Sequence, residues 1–145
     1  MSAGKGSLEN MLAEALKGEE KSVEEIFSER NLAGLGDTYI NFLYSLAFSL
    51  KKKKPCGMKV SNKVLAEAVR QAGVRRRLPS RLSRRDIGSS AEALIVYAAA
   101  KNLISSRELV DLLREAEDPV SAFSQALTNI WTRAGLHLPR RKAEG

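Results

Sequence analysis

Apolar residues recur every three or four positions along most of the chain, and no strand-length run alternates apolar with polar. That periodicity predicts an all-α fold of about seven helices. The first helix covers 8–16 and ends at Gly18. Ser22 and Glu25 stand at capping-box spacing before a second helix over 23–29. A third covers 31–51 and is stopped by Lys51–Lys54 and Pro55. A fourth covers 61–72 and ends at Gly73, before an arginine-rich loop over 73–82. A fifth runs from Ser83 to Leu103. Ser105 and Glu108 repeat the capping-box spacing ahead of a helix over 105–116. Asp118-Pro119 supplies an N-cap and a first-turn proline for a last helix over 119–134, closed by Gly135.

Two of these helices carry an anomaly. Asp37 is the only charged residue between Asn31 and Leu50, and Glu92 is the only one between Ile87 and Ala100. An isolated carboxylate in apolar surroundings neutralises itself or recruits a partner. Two such acids in a chain rich in Lys and Arg suggest a cation held between them. The structural alternatives are a helix cap or an ion-pair partner for Asp37, and an ion-pair partner for Glu92. In the third helix Leu32, Leu35, Tyr39, Leu43, Leu46 and Leu50 form a stripe, and Ile40, Phe42 and Phe48 lie off it. A helix apolar on so much of its surface is central or is buried against a second chain. Gly34 and Gly36 weaken it and predict close approach of another backbone.

At 145 residues the chain is read as one domain over 1–136 with a flexible basic tail over 137–145. The formal charge of +7 favours a polyanionic partner. The charge is also segregated. Segment 51–86 holds thirteen of the 24 basic residues, opposed only by Glu67 and Asp86, whereas the first thirty residues are net acidic. Nucleic acid is the expected partner. A single cysteine, Cys56, excludes an intrachain disulfide and a Cys-cluster metal site. A single histidine, His137, argues against a Ser-His-Asp triad. Cys56, Trp131 and His137 are read as structural or incidental. Neither a signal core nor a membrane-length apolar run stands out, so a cytoplasmic location without membrane association is expected.

Three blocks carry a family resemblance. Leu35–Phe42 (LGDTYINF) resembles the signature helix of the ribonuclease III family, and Ser89–Ala99 (SSAEALIVYAA) resembles its second catalytic helix. Between them, Lys59–Gly73 (KVSNKVLAEAVRQAG) resembles the family's V-S-N stretch. The blocks stand in family order. The resemblance implies that Asp37 and Glu92 are the metal-binding, catalytic acids, with Mg²⁺ as the ion and Mn²⁺ as a substitute. It implies a compact form similar to mini-ribonuclease III, without a double-stranded-RNA-binding domain, working as a symmetric homodimer paired through helix 31–51. Two further family acids fall on Ala33 and Ser89, leaving two of four. Asp86, six residues before Glu92, falls on another face and reads as a first-turn acid. Asn41 and Ser89 share faces with the two acids and are candidate supporting residues.

The expected activity is metal-dependent hydrolysis of double-stranded RNA, with no small-molecule substrate. Lys63, Arg75, Arg76, Arg77, Arg81, Arg84 and Arg85 are the candidate RNA contacts, because A-form RNA is read by shape and backbone. Ala33 and Ser89 keep open a catalytically inactive, RNA-binding or ribosome-associated dimer. A third reading takes 61–73 and the following turn and helix as a helix-turn-helix-like DNA-binding unit.

Overall fold

The computed structural model describes residues 6–78 and 81–135. The Arg77 side chain and residues 136–145, which hold His137 and the expected basic tail, lie outside the described residues. Seven α-helices are present among those described, and no strand. They are α1 (Leu8–Ala15), α2 (Val23–Ser28), α3 (Arg30–Lys52), α4 (Asn62–Gln71), α5 (Arg84–Ala100), α6 (Ser106–Glu115) and α7 (Pro119–Arg133). A 3₁₀ turn, Val74–Arg77, replaces the start of the expected loop after α4. Val74 and Leu78 are buried and anchor it.

Short polar side chains start most of the helices. Ser7, Ser61, Ser83, Ser105 and Asp118 each accept a hydrogen bond from a first-turn amide. Each such cap contributes about 1 kcal/mol. Ser22 and Glu25 form the full capping box. The box expected at Ser105 is half made, because the Glu108 carboxylate turns instead to Arg133, at 2.6 and 2.7 Å. That contact ties α6 to α7.

Helix α5 is the centre of the fold. Every residue from Ser90 to Ala100 is buried, and α1, α2, α3, α4 and α7 pack around it. Five alanines in that stretch let neighbouring helices approach closely. Only the first turn of this helix, Arg84–Asp86, is exposed, so the fold lends the helix-turn-helix reading no support beyond that turn. The helix also ends earlier than its apolar pattern predicts, at Ala100 rather than Leu103. Asn102 takes a left-handed conformation (φ 61°), its amide bonds the Ala99 carbonyl at 3.1 Å, and the Leu103 amide bonds that of Ala98 at 2.9 Å. This is a Schellman ending with asparagine in the usual glycine position.

Helix α3 lies across α5 and is only partly enclosed. Leu32, Tyr39, Ile40, Leu43 and Ala47 are buried, but Leu35, Phe42, Leu46 and Leu50 are exposed. The expected stripe therefore divides: half of it packs on α5 and α6, and half faces outward. Gly36 meets another backbone as predicted, since a Cβ there would collide with the Glu92 carbonyl. Gly34 does not; nothing approaches it within 4 Å.

The segment after α3 doubles back along that helix. Ser49 Oγ accepts from the Cys56 amide at 3.0 Å and donates to its carbonyl at 3.1 Å. Ser45 Oγ does the same for Met58, at 2.8 and 3.0 Å. Asn41 Oδ1 accepts from the Val60 amide at 2.8 Å. Residues 41, 45 and 49 stand one turn apart and so share a face. They fasten alternate residues of an extended strap.

Candidate active site

The contact of Gly36 with the Glu92 backbone fixes the crossing of α3 over α5. Asp37 follows Gly36, so the crossing sets the two lone acids opposite each other. The two carboxyl groups stand close enough for Asp37 to act on Glu92 through a hydrogen bond and through like charge. Glu92 is buried and Asp37 half-buried. Burial pushes the Glu92 carboxyl up to about 8, its hydrogen bond and like charge with Asp37 push the same way, and the Lys59 ammonium pulls it back. The environment of Glu92 thus favours its protonated form, and a cation beside it would act in the opposite direction.

Asn41 supports this arrangement. Its Nδ2 donates to Asp37 Oδ1 at 2.9 Å while its Oδ1 holds the Val60 amide. The amide thus has both ends satisfied and locks the Asp37 side chain. Ser89 is half-buried, one turn before Glu92 on α5. Ala33 packs against the core. Asp86 is exposed in the first turn of α5, where its amide bonds Ser83 Oγ, and takes no part in the pair. Among the described residues, no three or more His, Cys, Asp or Glu side chains gather into one metal site.

The pair suits a hard divalent cation. Mg²⁺ takes oxygen ligands and is commonly held by one or two carboxylates, with water and substrate phosphate completing its sphere. Two facing carboxyl groups, uncompensated except for a proton and a neighbouring lysine, are such a donor set. The Asn41 tether engages Asp37 Oδ1 and leaves Oδ2 outside that bond.

The basic residues are not gathered in one place. Lys63, Arg84 and Arg85 are exposed where α4 and α5 begin, the corner at which Asn62 meets Gly88. Arg81 is exposed just before α5. Arg75 is half-buried and Arg76 exposed in the 3₁₀ turn beyond the other end of α4, about 15 Å along that helix. Lys59 is the residue near the acids that the sequence did not single out. It stood in a long basic segment, and only the path of the strap brings it to Glu92.

These features define an all-helical domain with a paired-carboxylate centre where two core helices cross. The family model described as ribonuclease III matches residues 30–137, from the start of α3 past the end of α7. The chain belongs to the ribonuclease III family, and that membership points to RNA-processing nuclease activity. Among curated proteins, none matches the chain. Both acids and the whole strap lie within the matched stretch. No helix among the described residues is long and apolar enough to cross a membrane.

Proposed function

We propose that the chain is a metal-dependent endoribonuclease that hydrolyses phosphodiester bonds of double-stranded RNA. The observation that carries this reading is the pairing of half-buried Asp37 with buried Glu92, with Asp37 locked by Asn41 and the pair built into the α3–α5 crossing. Asp37 and Glu92 would hold Mg²⁺, or Mn²⁺ in its place. A bound divalent ion activates water and relieves charge on a phosphodiester. The protein's own part is to hold the two carboxylates at fixed separation, to keep Asp37 oriented through Asn41, and to present cations to the RNA backbone. Lys63, Arg81, Arg84 and Arg85 suit that last task near the site, with Arg75 and Arg76 further along the duplex.

The proposal includes a homodimer. Leu35, Phe42, Leu46 and Leu50 are each 36% exposed or more and stand on one face of α3. An apolar face of this length on a charged protein suits burial against a second copy. The test is cleavage of duplex RNA with and without Mg²⁺, comparing wild type with Glu92→Gln. Metal-dependent cleavage by wild type alone supports the reading.

A second reading, an RNA-binding dimer without catalysis, draws on one observation: only two acids meet at the site, with Ala33 and Ser89 at neighbouring positions. Duplex RNA bound in Mg²⁺ and left intact by wild type decides for it.

A further inference from the structure

The strap does more than cover α3. Asn41, Ser45 and Ser49 each fasten one strap residue, and the next residue one turn back along the same face is Asp37. The strap is thus drawn along α3 toward the carboxylate pair, and its last fastened amide, Val60, belongs to the group that locks Asp37. In an extended segment alternate residues turn opposite ways. Cys56, Met58 and Val60 turn their peptide groups to the helix, so Gly57 and Lys59 turn theirs away.

Lys59 is therefore held at the site by its neighbour's backbone, with a side chain that is exposed. Among the described residues it forms no ion pair within 4.0 Å, and its neighbour Val60 is bonded to the same Asn41 that holds Asp37. The lysines at the opposite end of the strap, Lys51–Lys54, lie roughly four turns of α3 from Asp37.

The charge balance of the site gives such a residue a task. One divalent cation neutralises two carboxylates and leaves no net positive charge for a phosphodiester anion. With no third carboxylate among the described residues at the site, a second cation has no protein anchor there. An ammonium is a compact point charge well suited to a phosphate oxygen. We propose that Lys59 is a further catalytic residue of this chain, its ammonium binding the scissile phosphate beside the Asp37–Glu92 pair, delivered there by the Asn41–Ser45–Ser49 strap. The inference rests on the nuclease reading given above.

The experiment compares wild type, Lys59→Met and Lys59→Arg in three measurements: single-turnover cleavage of a duplex RNA with Mg²⁺, the salt dependence of duplex binding without divalent ions, and Mn²⁺ binding by the protein alone. Lys59→Met is expected to slow cleavage about 100-fold. It is expected to reduce the slope of log affinity against log salt by about one, the loss of one phosphate contact. Lys59→Arg restores the slope and part of the rate, and all three proteins bind Mn²⁺. Cleavage by Lys59→Met within about twofold of wild type, with an unchanged slope, overturns the inference and leaves the nuclease reading standing. A slower rate with an unchanged slope also overturns it, because Lys59 then acts only by screening Glu92. Loss of Mn²⁺ binding in Lys59→Met overturns it too, since removing a nearby positive charge cannot weaken a cation site unless the site collapses. If wild type binds duplex RNA without cutting it, the nuclease reading fails and the slope alone decides whether Lys59 contacts phosphate. If wild type does not bind duplex RNA, both fail.

Discussion

Burying the Glu92 carboxyl group against that of Asp37 couples the stability of the fold to a proton. The Glu92 pKa is raised to about 8 in the fold, against an ordinary value of 4.5. Between those pH values the folded chain keeps a proton that the unfolded chain releases. Stability is thus highest below about pH 4.5 on this group's account and falls as pH rises through 8. The melting temperature should decline from about pH 5 to about pH 8, and Mg²⁺ should restore it at the upper end by replacing the proton. Glu92→Gln should abolish both the decline and the rescue, as thermal unfolding across pH would reveal. A flat wild-type profile contradicts the raised Glu92 pKa. At this scale the sequence was informative where the anomaly was local. A lone acid in an apolar run can be seen without a fold, and the two acids do meet. The tether from Asn41 to Val60 could not be read from sequence, because it joins residues nineteen apart through a turn whose path no local pattern fixes. Lys59 was hidden for the same reason, one lysine among many.

The elements were legible where short-range chemistry defines them. Ser22, Ser61, Ser83, Ser105 and Asp118 cap the helices they were expected to open. The end of α5 was misplaced because Asn102 breaks a run whose apolar character continues to Ile104. The strap was illegible: Ser45 and Ser49 look like ordinary helix-surface residues until the returning chain is seen. Two changes probe these elements. Asn41→Leu removes the acceptor of the half-buried Val60 amide and frees Asp37, and should cost about 1–3 kcal/mol in denaturant unfolding. Gly36→Ala drives a methyl into the Glu92 carbonyl and should cost about 1–3 kcal/mol or separate the helices. Because that separation would part the two acids, the loss of the pH-dependent stability should accompany it. A third site joins α1 to the rest. Glu9 is buried, which raises its pKa, but the Ser106 hydroxyl and amide outweigh that and leave it lowered. Its amide contact, at 2.5 Å, completes the start of α6, and Ser106 Oγ also lies 2.7 Å from the Tyr39 hydroxyl. Glu9 therefore stabilises the fold above its ordinary pKa and ceases to do so in acid. Glu9→Gln should flatten the acid limb of the unfolding profile.

At the scale of the molecule, α5 organises the core, and α3 divides its surface between that core, the strap and the outside. Periodicity revealed how apolar α3 is, but not which of its leucines meet α5, because several faces were apolar at once. Four of the outward residues, Leu35, Phe42, Leu46 and Leu50, form the surface proposed for dimerisation. Replacing Phe42 and Leu46 together by Glu should convert a dimer to a monomer in sedimentation, with the helical spectrum retained. An unchanged mass for the double variant excludes this face as the interface. The family match covers α3 to α7 and both acids, so the fold and its carboxylate pair belong to one unit of the molecule. The most direct test of the proposed activity is cleavage of duplex RNA by wild type, Asp37→Asn and Glu92→Gln, each with Mg²⁺ and with a chelator. Wild type should cut with Mg²⁺ only, and the folded variants should be slowed on the order of 100-fold or more. Cutting by both variants at the wild-type rate would contradict a metal centre built on Asp37 and Glu92.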